Sequence, residues 1–242
     1  MGVTELPTVV LVHGGMQGSW CWDLVVPELG ARGVKSVTVD LPITDPAAGA
    51  SEYADAIVAA AEGLSSVVLV GHSMSGSALP VAAHRLPTAH LCFVCAVLPV
   101  PGRSIAEEFA ADADLASEAQ AAYRFDELSR FYMDPADAKR VFFHDCDDDL
   151  AEWAVGRLLP QASKVAVETT PLLEWPRVPC TYVLCTGDRS MPPQWARRVV
   201  PERLGVAPVE LPGGHAPYLS RPAQLADIIV RITRNATGHA AR

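Results

Sequence analysis

Short apolar runs punctuate the chain, separated by longer stretches of helical periodicity. Thr8 to His13 (TVVLVH), Lys35 to Asp40 (KSVTVD), Ser66 to Val70 (SVVLV), Leu91 to Val97, Thr181 to Cys185 and the short Val209 to Leu211 read as strands. Trp20 to Leu29, Glu52 to Leu64, Ser75 to Arg85 and Pro222 to Arg234 read as helices. The strand runs are near-continuous in Val and Leu rather than alternating, which is the pattern of strands covered on both faces. Such strands with helices between them predict a mostly parallel, doubly wound α/β sheet.

One stretch breaks this rhythm. From about Gly102 to Trp175 no core strand is apparent; the sequence is helical, acidic and dotted with aromatics such as Phe109, Tyr123, Phe131 and Trp153. A stretch that long between two sheet strands needs structure of its own. Residues 102–175 are therefore expected to form a helical cap inserted before the last two strands, on a core of residues 1–101 and 176–242. The cap should cover the carboxyl edge of the sheet, where open α/β sheets bind ligands. The tail from Asn235 is expected to fray, and its sequon Asn235-Ala236-Thr237 carries no meaning in a cytosolic protein.

Composition narrows the function. The 242 residues suit one α/β domain, and half of them are hydrophobic, so the chain can bury a sizeable core. A formal net charge of -9 argues against nucleic acid and anionic membrane surfaces as partners. The start, Met1 to Pro7, has no basic or apolar region of a signal peptide, and no apolar run approaches the roughly 18 residues needed to cross a bilayer. A cytoplasmic protein with reduced thiols is expected, and its six cysteines are scattered. Cys92 and Cys95 form a CxxC inside a strand-like run; residues three apart on a strand face opposite ways, so they read as buried structural cysteines rather than metal ligands.

The strongest chemical signal is Val70-Gly71-His72-Ser73-Met74-Ser75-Gly76. It follows a strand and opens a helix, the setting of a nucleophile elbow, where residues two before and two after the serine must be small. Gly71 satisfies the first condition; Ser75 stands where the usual motif has Gly. A serine needs a base, and the α/β-hydrolase order is Ser, acid, His. Of seven histidines only His215 follows the last strand, in Leu211-Pro212-Gly213-Gly214-His215. Asp188 follows the strand before it, and its expected task is to orient the imidazole. Val12-His13-Gly14-Gly15 follows the first strand and nominates the backbone N–H groups of Gly15 and Met74 as an oxyanion hole. His13 reads as a loop anchor, Trp20 and Trp22 as packing, and Asp40 as a structural acceptor. His144-Asp145-Cys146 with the acids to Asp149 reads as a solvated helix start rather than a metal site.

These residues together resemble the plant methyl esterase and hydroxynitrile lyase family and its small bacterial esterase-like relatives. The likeness is carried by His13-Gly14 through Trp20-Cys21-Trp22, Val39-Asp40-Leu41, Gly71-His72-Ser73, Cys185-Thr186 with Asp188 and Pro192, and Gly214-His215. It runs from about Thr8 to Arg234 and is weakest in the cap, where His144-Asp145-Cys146 to Leu159-Pro160 looks like the second half of the family's cap. The resemblance implies a core of six to eight strands, a helical cap, no cofactor and often a homodimer. It also implies a choice, because the lyases carry Thr or Asn where this chain has Gly14, and some carry Lys where it has Ala216. The expectation is a hydrolase of a small, fairly apolar carboxylic ester. The rivals are lactone or thioester hydrolysis, a lyase or cyclase step at the same residues, and a ligand receptor on a hydrolase scaffold.

Overall fold

A computed structural model describes residues 5–236. The expectations for Met1 to Thr4 and for the tail from Thr237 on lie outside these residues; Asn235 and Ala236, expected to fray, instead continue the last helix, Pro222–Ala236. Six parallel strands form one sheet: β1 (Thr8–Val12), β2 (Ser36–Val39), β3 (Val67–His72), β4 (Thr88–Val94), and, after an insertion, β7 (Cys180–Cys185) and β8 (Val209–Leu211). Their order is β2-β1-β3-β4-β7-β8. Two short strands of the insertion, β5 (Arg124–Phe125) and β6 (Phe131–Tyr132), make a separate antiparallel pair.

The apolar runs explain this arrangement. Successive residues of a strand point to opposite faces, so an uninterrupted run feeds two apolar layers at once. Val9, Leu11, Val68, Val70 and Val183 enter one layer with the helices Val25–Ala31 and Pro222–Ala236. Val10, Leu69, Leu91, Phe93 and Tyr182 enter the other with Ala50–Ala60, Leu79–Ala83 and Pro193–Leu204. The central strand β3 is buried along its whole length.

Proline sets helix starts that periodicity alone misplaces. The expected helix Trp20 to Leu29 is a 3₁₀ turn, Ser19–Trp22, followed by Val25–Ala31; the expected Ser75 to Arg85 is a 3₁₀ turn, Ser73–Ser77, followed by Leu79–Ala83. Pro27 and Pro80 fit only in a first turn, where no N–H is needed, so each α-helix begins just ahead of its proline. The turn before Val25 is pinned by Asp40, which accepts from the Ser19 N–H at 2.7 Å and its hydroxyl at 2.9 Å.

Strand β4 ends three residues earlier than expected, because Cys95 takes a φ of +46°. That turn corrects the reading of the CxxC. Cys92 and Cys95 enter the same apolar layer, since alternation stops once the chain leaves the strand. Both thiols are free and buried.

The stretch between β4 and β7 holds the helices Ile105–Ala111, Glu118–Ala122, Pro135–Phe142, Asp148–Val155 and Lys164–Val167, together with the β5–β6 pair. It is tied to the sheet at fixed points. Leu159 N–H donates to Met16 O at 2.9 Å, Ala162 N–H to Ile43 O at 2.7 Å, and Glu168 accepts from Ala50 N–H at 2.6 Å at the start of Ala50–Ala60. Among the described residues no helix is long and apolar enough to cross a membrane.

Leu69 lies at the centre of β3, fully buried between β1 and β4. Leu69→Ala is expected to lower stability by about 2–5 kcal/mol through lost burial and a residual cavity. Urea unfolding followed by circular dichroism measures it, with a lowered midpoint at unchanged slope as the expected result.

Candidate active site

The parallel register brings the carboxyl ends of five strands together. Val12 pairs with Gly71, His72 with Val94, and Cys185 with Leu211. The strand order reverses direction between β1 and β3, the position at which open α/β sheets leave a crevice.

Ser73 stands at that crevice. It follows β3 directly, opens the 3₁₀ turn and has a φ of +52°. A non-glycine residue rarely adopts this conformation, and the tight turn it makes lifts the hydroxyl clear of the backbone. Ser75, which replaces the usual glycine, is buried and satisfied: its hydroxyl donates to His72 O at 2.8 Å, with Val12 O at 3.3 Å. The departure from the motif is absorbed as a hydrogen bond of the elbow.

His215 arrives from the loop after β8. Its Nε2 lies 3.1 Å from Ser73 Oγ, and its Nδ1 lies 2.8 Å from Asp188 Oδ2. Asp188 offers only an acceptor, so the proton sits on Nδ1 and Nε2 keeps a lone pair towards Ser73. The Asp188 carboxylate is held in turn by its own loop, with Oδ1 accepting from Ser190 N–H at 2.7 Å and Met191 N–H at 2.9 Å. Asp188 and His215 are both buried.

Two other histidines brace this arrangement as neutral rings. His72 Nε2–H donates to the backbone oxygen of His215 at 2.8 Å, and the two rings lie 4.6 Å apart. Burial, with the neighbouring His215, drives its pKa well below the ordinary value, so it stays neutral. His13 accepts from Leu41 N–H at 2.9 Å, and its Nδ1 lies 2.8 Å from Gly14 O; burial lowers its pKa too. This is the loop anchor the sequence suggested.

The loop after β1 reaches the elbow. Its outer amides are spoken for: Gly14 N–H donates to Gln17 Oε1 at 3.2 Å and Met16 N–H to Gln161 Oε1 at 3.3 Å. Gly15 lies between them, and a Cβ there would stand 3.5 Å from that of Met74. At Gly14 a Cβ would stand 2.7 Å from His72 Nδ1 and 2.9 Å from Ser73 Cβ, closer than side chains pack.

Sequence reasoning did not find Gln161. It is fully buried in the insertion, donates to Tyr53 Oη at 2.6 Å and pairs its backbone with Phe131. Sequence reasoning read Cys95 as a buried cysteine but did not place it beside the site, where its Sγ lies within 4.8 Å of ligand atoms of Asp188 and His215. Burial pushes the Cys95 thiol far above its ordinary pKa, and Asp188 and His215 are engaged with each other, so the trio is a poor metal site. Asp145 also departs from its reading as part of a solvated helix start: its carboxylate accepts from Gly214 N–H at 2.9 Å. Asp40, Trp20 and Trp22 match the structural roles read from the sequence, with Trp22 packed on Tyr218 at 5.7 Å and Trp20 on Trp153 at 5.3 Å.

A cavity of about 450 Å³ opens above Ser73, lined by Met74, Phe109, Tyr123, Phe125 and Phe131 among others. No charged side chain contributes to its wall among the described residues. Burial pushes the Tyr123 phenol up to about 12, so it too stays neutral.

The model of the alpha/beta hydrolase family matches residues 9–228. The pyrethroid hydrolase of Sphingobium wenxiniae is 31% identical over 254 residues, covering 95% of this chain and 87% of that protein. Esterase PIR7B of Oryza sativa subsp. japonica is 27% identical over 255 residues, covering 92% of this chain and 94% of that protein. The crystal structure of a pyrethroid hydrolase from Sphingobium faniae superposes with a TM-score of 0.77 at 25% identity, covering 98% of this chain and 100% of that one.

Asp188→Asn keeps the shape of the acid but offers Nδ1–H a poorer partner and permits the wrong tautomer. It is expected to lower kcat by about 10⁴ on any substrate the site turns over. Steady-state kinetics of a correctly folded variant checks this.

Proposed function

The chain belongs to the alpha/beta hydrolase family, and we propose that it is a serine hydrolase of small, fairly apolar carboxylic esters, acting through an acyl-enzyme on Ser73. The observation that carries this reading is the linear chain Ser73 Oγ, His215 Nε2, His215 Nδ1, Asp188 Oδ2, with steps of 3.1 Å and 2.8 Å, opening into an uncharged cavity. The names of its relatives, an esterase and a pyrethroid hydrolase, support the same chemistry.

In this reaction His215 Nε2 takes the Ser73 proton as Oγ attacks the ester carbonyl. Asp188 holds the ring and stabilises the imidazolium that forms. The Gly15 and Met74 amides receive the carbonyl oxygen as it becomes an anion. One such donor is worth about 10²–10³ in kcat. His215 then returns the proton to the leaving alcohol and activates water against the acyl-enzyme. Residues 102–175 act as the cap, whose Phe109, Tyr123 and Phe131 close the cavity round an apolar substrate. Six free cysteines fit a cytoplasmic setting.

The same geometry argues against cyanohydrin cleavage. A side chain at Gly14 able to bind a cyanohydrin hydroxyl would collide with His72 and Ser73. Ala216, beside the catalytic histidine, is fully buried in an apolar layer, where a cation for cyanide would be desolvated.

Offered short aryl and methyl esters and mandelonitrile under the same conditions, the enzyme is expected to turn over esters and release no cyanide. A fluorophosphonate should add once, at Ser73, as read by intact mass and peptide mapping. Fast cyanide release without ester turnover, or labelling elsewhere in active enzyme, overturns the reading.

A further inference from the structure

His144 and Asp145 lie in the insertion, between the helices Pro135–Phe142 and Asp148–Val155, and the mechanism above leaves them without a task. They touch both turns that carry the catalytic acid and base. Asp145 Oδ2 accepts from Gly214 N–H at 2.9 Å, one residue before His215. The His144 ring sits against the same peptide and against the turn before Asp188. A methyl group at Gly214 would stand 2.6 Å from His144 Cε1 and 2.7 Å from Asp145 Oδ1, and one at Gly187 would stand 3.8 Å from His144 Nε2. The two turns are themselves joined by Gly187 N–H donating to Gly213 O at 2.9 Å. Just ahead, Phe142 lays its ring 5.3 Å from that of His215, tilted by 31°.

We propose that Asp145, with His144 and Phe142 beside it, is a positioning residue through which the insertion sets the placement of His215 against Ser73 and Asp188. Three contacts from four consecutive residues converge on one imidazole: its face, the amide that precedes it, and the seam between its loop and that of the acid. The seam is glycine on both sides, Gly187 facing Gly213 and Gly214, and at Gly214 a larger residue would occupy the space of His144 and Asp145. The price is two sealed polar atoms: Asp145 Oδ1 and His144 Nδ1 are buried without a hydrogen-bond partner. Buried groups left unpaired are costly and uncommon, and they gather where function over-rides stability. The arrangement also places the cavity wall and the base on one continuous segment, so the imidazole is located by the part of the chain that locates the substrate.

The inference rests on the hydrolase reading for its kinetic test, and a spectroscopic test stands apart from it. Asp145→Ala removes the acceptor. Asp145→Asn keeps an oxygen that can accept from Gly214 N–H. Asp145→Leu removes the acceptor while keeping a γ-branched shape that fills the space, and serves if the alanine variant does not fold. On an ester that the wild type cleaves, Ala and Leu are expected to lower kcat about ten- to a hundredfold with KM little changed, as for a small misplacement of a catalytic group, and Asn to retain most of the rate. In proton NMR the far-downfield signal of the proton between His215 Nδ1 and Asp188 should broaden and exchange faster in Ala and Leu, and persist in Asn. That measurement decides the inference even if no tested ester is cleaved. An unchanged signal and kcat in Asp145→Ala, an effect on KM alone, or losses in Asn equal to those in Ala overturn it.

Discussion

A hydrogen bond of 2.8 Å joins His215 to Asp188, two side chains 27 residues apart in the chain. It can form only because β7 and β8 lie parallel with Cys185 opposite Leu211, and because the turns leaving them stay together: Thr186 N–H donates to Leu211 O and Gly187 N–H to Gly213 O, each at 2.9 Å. The sheet thus continues as a two-stranded seam past its formal end, and acid and base stand on it side by side. Ser73 needs the same register two steps further across, where β3 pairs with β4 and the Ser73 carbonyl accepts from Val97 N–H at 3.1 Å. The three side chains are held in place because they hang from turns that start on a buried, parallel ladder.

Around this seam the protein spends neutral histidines rather than charges. His13 and His72 are both buried, and both are held to the uncharged form by desolvation. A charged group in either place would compete for Asp188 or repel the imidazolium that ester cleavage creates. A neutral ring can instead use its N–H and its lone pair as plain struts, one to the His215 backbone and one to the Leu41 amide. The apolar, uncharged cavity continues the same electrostatic design outward, leaving the Asp188 carboxylate as the charge that orients the base.

Much of this was legible in the sequence because it is local. Strand, Gly71-His72-Ser73 and helix are contiguous, and the chain order of Asp188 and His215 is a property of the fold. The insertion announced itself by the absence of strand runs from Gly102 to Trp175. What stayed hidden depends on contacts between distant segments. Gln161 reads as an ordinary polar residue until Phe131 pairs with it and Met16 is found above it. Cys95 looked like one more strand residue, because a positive φ leaves no mark on a Cys side chain. Asp145 sits in a run of acids that composition assigns to solvent, although the neighbouring Asp147 to Asp149 do open a helix there. Helix starts erred where a proline lay inside an apolar pattern, at Pro27 and Pro80, a rule of backbone chemistry that periodicity cannot weigh.

The anchoring of the insertion has an evolutionary side. Gln161 props the loop after β1 from below, and Glu168 accepts the first amide of Ala50–Ala60. Each is a donor–acceptor match between the insertion and a particular place on the core, so the insertion is not a free cassette. A grafted insertion would keep this fit only where it carries acceptors at the places of Gln161 and Glu168. Diversification of substrate range along such a lineage should therefore proceed by exchanging single wall residues such as Phe109, Tyr123 or Phe125, while the polar anchors that face the core drift far more slowly.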